Sequence, residues 1–423
     1  MLTPTTPYSQ DLGEGMILCS IADQNDVDRI AAFHGTIHGE GVANMTRHLI
    51  LDHPHTRPEH WLYVEDQSSK RVVSAICLIP WKLQYQGIEL SAGEMGIVAT
   101  HPDYRRRGLV RAQVARHHEL LCEGGFDLSH IQGIPYFYRQ FGYDYAIPLE
   151  GGWRVDLYAV PAQPESGTAY TLRQASLDDL PVLMDLHDRA AQDLEIHVRR
   201  DEAEWRYLLG PSKQTEMVAD TYLVTDATGQ AVAYVRVPHD GFGEGLIVNE
   251  ASRMSADVAR AAIELVRDLA VARSKPYIRL CLPASGTLVQ VARYLDAHDL
   301  GHYAWQIKIV DRANLLRKLA PVFARRLADS PLRGLSQDVC LDLYGEAYEL
   351  KFQKGKLVSV KSLNAATLGG IRIPPRLFAP LVLGYRTREE LAAAHHDFSV
   401  GRDWQQLIDV IFCPVTSFLY TIY

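Results

Sequence analysis

Two stretches of this 423-residue chain, roughly 150 residues apart, carry the same order of structural signals, and a repeat of that period means two copies of one plan. "LCSIADQNDVDRIAAFH" passes from a short strand through a polar turn into an amphipathic helix; "YTLRQASLDDLPVLMDLH" does the same, with Ser176 or Asp178 placed to cap the helix. Each copy then runs through β-like segments, "HWLYVED" and "VVSAICLI" in the first and "TYLVTD" and "AVAYVRV" in the second, and on into a long helical pattern. Strands interleaved with helices in this way predict tandem α/β (α+β) units. The Pro, Gly and Ser content of "VPAQPESGTAY" predicts a linker at about residues 160–168.

After "WQIKIV" the pattern changes. "RANLLRKLAPVFARRL" reads as one helix with a basic outer face, "CLDLYGEAYELKF" and "KLVSVKS" as two alternating strands joined by the hairpin "QKGK", and "TREELAAAHH" as a further helix. The expected division is 1–155, 165–311 and 312–423, the last an α+β unit. The final stretch, with Phe418, Leu419, Tyr420, Ile422 and Tyr423, is too apolar for a frayed tail and is expected to be buried.

Composition excludes several classes. The net charge of −8 leaves no basic excess to neutralise phosphates, which argues against nucleic acid as a partner, while an acidic surface suits a cationic substrate. The six cysteines are scattered without a C-x-x-C pair, so free thiols in a reducing compartment are expected. No basic n-region precedes an apolar stretch at the start, and no apolar run reaches the ~18 residues of a membrane span, so the expectation is a cytoplasmic protein with no membrane contact.

Against that acidic background "RRRGLVR" packs four arginines into seven residues. The context "GEMGIVATHPDYRRRGLVRAQVARHHELL" reads as a strand through Ile97, Val98 and Ala99, a turn at "HPDY", and a helix starting near Gly108 with Leu109, Val110, Val114 and Leu121 on one face. The first N–H groups of such a helix have no internal partner, and the helix dipole adds about half a positive charge. Arg106, Arg107 and Arg111 add cations to that same end, which is unfavourable unless an anion binds there. In the second copy the corresponding stretch, "GLIVNEASRMSADVARAAIELV", has no glycine at the helix entrance and two carboxylates nearby, so one such anion site per chain is expected.

The string Val98-Ala99-Thr100 … Arg105-x-x-Gly108-x-Val110 resembles motif A of the GNAT N-acetyltransferases, R/Q-x-x-G-x-G/A. Val110 departs from the usual small residue, and the fuller "HPDYRRRGLVRA" resembles the Eis (enhanced intracellular survival) subgroup, which carries a bulky aliphatic residue there. The resemblance implies an active GNAT domain, a second degenerate GNAT domain and a sterol-carrier-protein-like third domain, assembled as a homohexamer. It implies acetyl-CoA as co-substrate, held by Val98, Ala99, Thr100, Arg106, Arg107, Gly108, Leu109, Val110, Arg111, Gly133 and Ile134, with no metal.

Acetyl transfer to an amine requires removal of a proton from an alkylammonium that titrates near pH 10, and a proton for the leaving thiolate. Aligned through "FGY", Tyr138 matches the subgroup's general acid, and the α-carboxylate of Tyr423 matches its general base, the subgroup's usual terminal residue being phenylalanine. A free α-carboxyl titrates near 3.5, so burial or a water relay has to raise its basicity. Phe33, His38 and Glu40 border the implied acceptor pocket. "HHEL" is not a zinc motif, because Cys122 stands in place of a second histidine. Two other readings stay open: transfer of a longer acyl chain, and a non-catalytic acetyl-CoA- or lipid-binding regulator.

Overall fold

The computed structural model describes residues 6–149, 151–162, 169–301, 303–363 and 370–423; the later part of the expected linker, 163–168, lies outside them. The first copy runs strand Met16–Ser20, helices Gln24–His38 and Glu40–Leu51, strands Trp61–Asp66, Arg71–Tyr85 and Ile88–Thr100, helix Leu109–Glu123 and strand Leu128–Ile131. The second copy answers element for element: strand Tyr170–Gln174, helices Leu180–Ala191 and Glu202–Leu209, strands Ala219–Asp226 and Ala231–Pro238, a broken strand Leu246–Val248 and Glu250–Ala251, helix Ala256–Ala272 and strand Tyr277–Leu280. Ser176 receives the N–H of Asp178 at the start of the second copy's first helical turn, so the serine and not Asp178 is the cap.

The two copies are not separate in space. Strand Tyr303–Ile309, late in the second copy, inserts between Leu128–Ile131 and Asp144–Leu149 of the first copy's sheet. In return, Trp153–Asp156 leaves the first copy and pairs with Tyr277–Leu280 of the second. The expected boundaries at 155 and 165 therefore describe the chain and not the bodies: each sheet is completed by the other half's strand. Such an exchange has no local signature, since a strand's alternation is satisfied by any sheet that covers one face.

The third unit is a five-stranded sheet in the order Lys356–Leu363, Ala347–Gln353, Gln337–Asp342, Ile371–Arg372, Ser399–Val400. "CLDLYGEAYELKF" is two strands and not one, because Tyr344 and Gly345 take φ of 58° and 148° and reverse the chain. "QKGK" does form the expected hairpin, with Lys354 and Gly355 both at positive φ. The basic helix is also two, Arg312–Lys318 and Ala320–Ala328, broken just ahead of Pro321, which has no N–H to continue the ladder.

After helix Arg402–Ile411 the tail crosses both copies. It bonds to Ile196 through Thr416 and Phe418, and Arg200 Nη2 donates to the Thr421 carbonyl at 2.8 Å. Phe418, Leu419, Tyr420 and Ile422 are buried as expected, each worth about 2 kcal/mol of apolar burial.

Candidate active site

The long strand Ile88–Thr100 pairs with Leu128–Ile131 only at Ala92, Gly93 and Glu94; beyond that the two part. A bulge enforces the parting. The register against Arg71–Tyr85 steps from Cys77↔Gly96 to Ala75↔Ala99, leaving Ile97 and Val98 without ladder partners, and Ile97 takes φ of 45°. A non-glycine, β-branched residue in that region is strained, so the bulge is held by its surroundings. Of the three expected strand contacts, Val98 lies at the bulge, whereas the Ala99 carbonyl and the Thr100 hydroxyl are both engaged by Ser74.

The strand leads into helix Leu109–Glu123, capped by Gly108 at φ 78° and ψ 2°. No side chain caps this end, there is no acidic residue in its first turn, and a Cβ on Gly108 would meet nothing within 4 Å. The need for glycine is conformational, because left-handed backbone at φ 78° strains any other residue. Arg106, itself at φ 66°, is exposed along with Arg107 and Arg111. Arg107 stacks over Tyr104 at 4.8 Å and Arg111 reaches Gln140 at 3.3 Å. Leu109 is buried, so it can offer a ligand only its backbone, and Val110 packs against the cluster of Met95, Val114, Ile131, Tyr138 and Tyr143. Free N–H groups, an open left-handed turn and three exposed cations are the donor set that a pyrophosphate requires.

On the far side of the gap the short helix Phe137–Phe141 carries Tyr138, whose ring is only 5% exposed and whose phenol is pushed upward by burial and so stays protonated. Gly133 is packed flat against it; a Cβ there would fall 2.3 Å from the ring. The exchanged strand holds this turn: Gln306 Nε2 donates to the Gly133 carbonyl at 2.9 Å and the Tyr303 hydroxyl donates to the same oxygen. Ile134 projects outward, 65% exposed. Tyr303 and Gln306 carry no signal in the sequence, since they reach the site only through the exchange.

The expected acceptor contacts divide. His38, exposed at its surface, faces the Val98 carbonyl. Phe33 is a buried core residue and Glu40 an exposed partner of Arg47 at 3.6 Å. Tyr423 does arrive at the gap, but the contact it makes is through its phenol, which donates to Glu94 Oε1 at 2.7 Å. Glu94 is buried, and burial raises its carboxyl to about 8, with the Tyr423 hydrogen bond opposing that rise. The side chain of Tyr423 is therefore part of the site.

A cavity of about 730 Å³ adjoins the Gly133–Ile134 turn, walled on the other side by the second copy's Glu216, Met217, Asp240, Phe242 and Asn249. The Asn249 side-chain oxygen is buried with no hydrogen-bond partner. Among the described residues His55, Asp201 and Glu204 bring three metal-type ligand atoms within 4.8 Å. Asp201 and Glu204 form the capping box of helix Glu202–Leu209, and His55 Nε2 bonds Asp201 at 2.8 Å, which accounts for the group as a cap with an ion pair. No disulfide joins cysteines among the described residues, and no described helix is long and apolar enough to cross a membrane.

The sheet is thus splayed at a bulge, with an uncapped arginine-rich helix end beside the opening. Residues 29–146 match the family model described as an acetyltransferase (GNAT) domain, so the chain is an enzyme carrying that domain in its first unit. No curated protein sequence matches the chain. Its whole length follows the fold of a GCN5-related N-acetyltransferase from Anabaena variabilis (TM-score 0.69, 14% identity, 96% of this chain and 99% of that one). A probable N-acyltransferase from Enterococcus faecalis is similar at TM-score 0.72 and 14% identity over the same shares. Eis1 from Mycobacterium abscessus is similar at TM-score 0.58 and 18% identity, over 86% of this chain and 90% of that one, in keeping with the Eis-like motif.

Proposed function

We propose that this protein transfers an acetyl group from acetyl-CoA directly to a cationic amine of the polyamine or aminoglycoside kind. The observation that carries the reading is the uncapped, arginine-flanked N-terminus of helix Leu109–Glu123 at the mouth of the splayed sheet. Arg106, Arg107, Arg111 and the backbone from Gly108 to Val110 would hold the pyrophosphate, and the bulge at Ile97 and Val98 would align the pantetheine arm. When bound, acetyl-CoA supplies an activated thioester. Tyr138, protonated and beside the gap, donates to the departing sulfur; a thiolate with a pKa near 8.5 needs only a weak acid. The carboxyl group of Tyr423 takes the ammonium proton in this reading, supported by the tail's arrival beside Glu94.

The cavity between the two copies is the proposed acceptor site. Glu216 and Asp240 supply negative charge, and the orphaned Asn249 oxygen would accept from an ammonium donor. Release of CoA thiol should be followed with a panel of polyamines, aminoglycosides and neutral amines, and with acetyl-CoA against a long-chain acyl-CoA. The reading expects turnover with acetyl-CoA and polycationic amines. Tight acetyl-CoA binding without thiol release for any amine would contradict it and favour a regulator.

A further inference from the structure

Glu94 is a buried carboxyl for which the proposed reaction has so far no use. It stands at the last paired position of Ile88–Thr100 before the strands part, opposite His130, on the same face as Cys77 and Trp81. Its Oε1 accepts the Tyr423 phenol at 2.7 Å, while its Oε2 has no hydrogen-bond partner and lies 3.9 Å from His130 Nε2. Tyr423 stands edge-on to Trp81, ring centres 6.4 Å apart. The titratable groups gathered here come from four elements: Cys77, His130, Tyr207 and Tyr423, around Glu94 on the fifth. None is a cation: burial lowers His130 to about 3, so its ring is neutral, and burial raises the Cys77 thiol. With no cation beside it, Glu94 is held protonated by burial, and as a neutral carboxyl it still has an oxygen to accept the Tyr423 phenol.

We propose that Glu94 is a positioning residue for the proposed acetyl transfer: by accepting the phenol of Tyr423 it fixes the last residues of the tail at the splay, so that the group at 423 meets the reaction in one register. The tail's other anchors, the Ile196 backbone, Arg200 on the Thr421 carbonyl and His53 on the Ile422 backbone, end one residue earlier and hold main chain only. Without the phenol bond, Tyr423 would keep its apolar contacts and lose the one directional tie that sets its rotation. A phenylalanine at this position could be buried but not oriented by Glu94. The inference rests on the acetyltransfer reading for its kinetic consequence, but the anchoring itself does not.

Two measurements on the full-length chain test it: amide hydrogen exchange of the peptide 412–423, and acetyl-transfer kinetics. Tyr423→Phe and Glu94→Leu should each speed exchange in residues 419–423 and lower kcat about tenfold, with KM for acetyl-CoA unchanged, as expected for loss of one buried hydrogen bond. Glu94→Gln keeps an acceptor oxygen and should restore both values to within about twofold of the parent. If Glu94→Leu does not fold, Tyr423→Phe, which removes one oxygen, decides alone. Tail exchange unchanged in Tyr423→Phe would overturn the anchoring, whatever the enzyme's activity. Faster exchange with unchanged kcat would overturn the positioning role. Absence of acetyl transfer in the parent would instead fail the functional reading and leave the exchange result standing.

Discussion

Helices Leu109–Glu123 and Ala256–Ala272 hold the same place in two copies of one plan, yet their N-termini have opposite chemistry. The first begins on a left-handed glycine, has no side-chain cap, and faces Arg106, Arg107 and Arg111. The second begins on Ser255, whose hydroxyl receives the Val258 N–H, and has Asp257 in its first turn. A serine cap with an acidic neighbour satisfies a helix end internally, at about 1 kcal/mol of stability. The first copy forgoes that stabilisation and adds like charges, an arrangement that makes sense only with an anion present. The same contrast runs through the sheets. In the second copy the buried carboxylate Glu250 is met by Arg200 at 2.8 and 3.0 Å and by Arg236 at 3.4 Å, while in the first Glu94 is met by the Tyr423 phenol and by no cation. One scaffold has been closed on itself and the other left open.

The largest effect expected of any substitution is at the open end. Arg106→Glu combined with Arg107→Glu should weaken CoA binding by roughly 10²–10³-fold, two charge-assisted contacts being replaced by repulsion. Ser255→Ala in the other copy should leave CoA affinity unchanged and cost about 1 kcal/mol of stability by chemical denaturation. Equal effects on CoA binding at both ends would erase the distinction.

Tyr138→Phe should lower kcat by about 10–100-fold while CoA affinity stays within about twofold. A fall in affinity instead would make the tyrosine a binding residue.

Gly108→Ala should destabilise the chain by about 1 kcal/mol, because φ 78° is strained for alanine and no clash adds to it. CoA affinity should fall with it, whereas Gly286, which precedes Thr287–Tyr294 at an ordinary φ of −64°, should tolerate alanine far better.

Glu94 sharpens the comparison by pH. The folded chain keeps its proton up to about pH 8, while an unfolded carboxyl near 4.5 has already lost it, so stability falls as pH rises between those values. Glu94→Gln is neutral throughout and should remove that slope, with a stability gain over the parent of about 4 kcal/mol at pH 8 that all but vanishes near pH 4.5. A gain that is independent of pH would mean the carboxyl is not the titrating group.

Much of this was legible in the chain because it is local. The strand, turn, glycine and arginines from Ile97 to Arg111 lie within fifteen consecutive residues, and the second copy's lack of glycine could be read beside them. What stayed hidden depends on residues far apart in sequence. Tyr303 and Gln306 support Gly133 only because two strands change places, and Glu94 meets Tyr423 across 329 positions. The bulge at Ile97 was hidden differently: "GIVAT" is good strand sequence, and the extra residue shows only in register against the neighbour.

The central claim, that one copy of the plan is open to acetyl-CoA and the other closed, is tested most directly by calorimetric titration of the full chain with CoA. The account predicts one site per chain, abolished by the Arg106→Glu and Arg107→Glu pair and untouched by Ser255→Ala. Two sites per chain, or one that survives the arginine reversal, would contradict it.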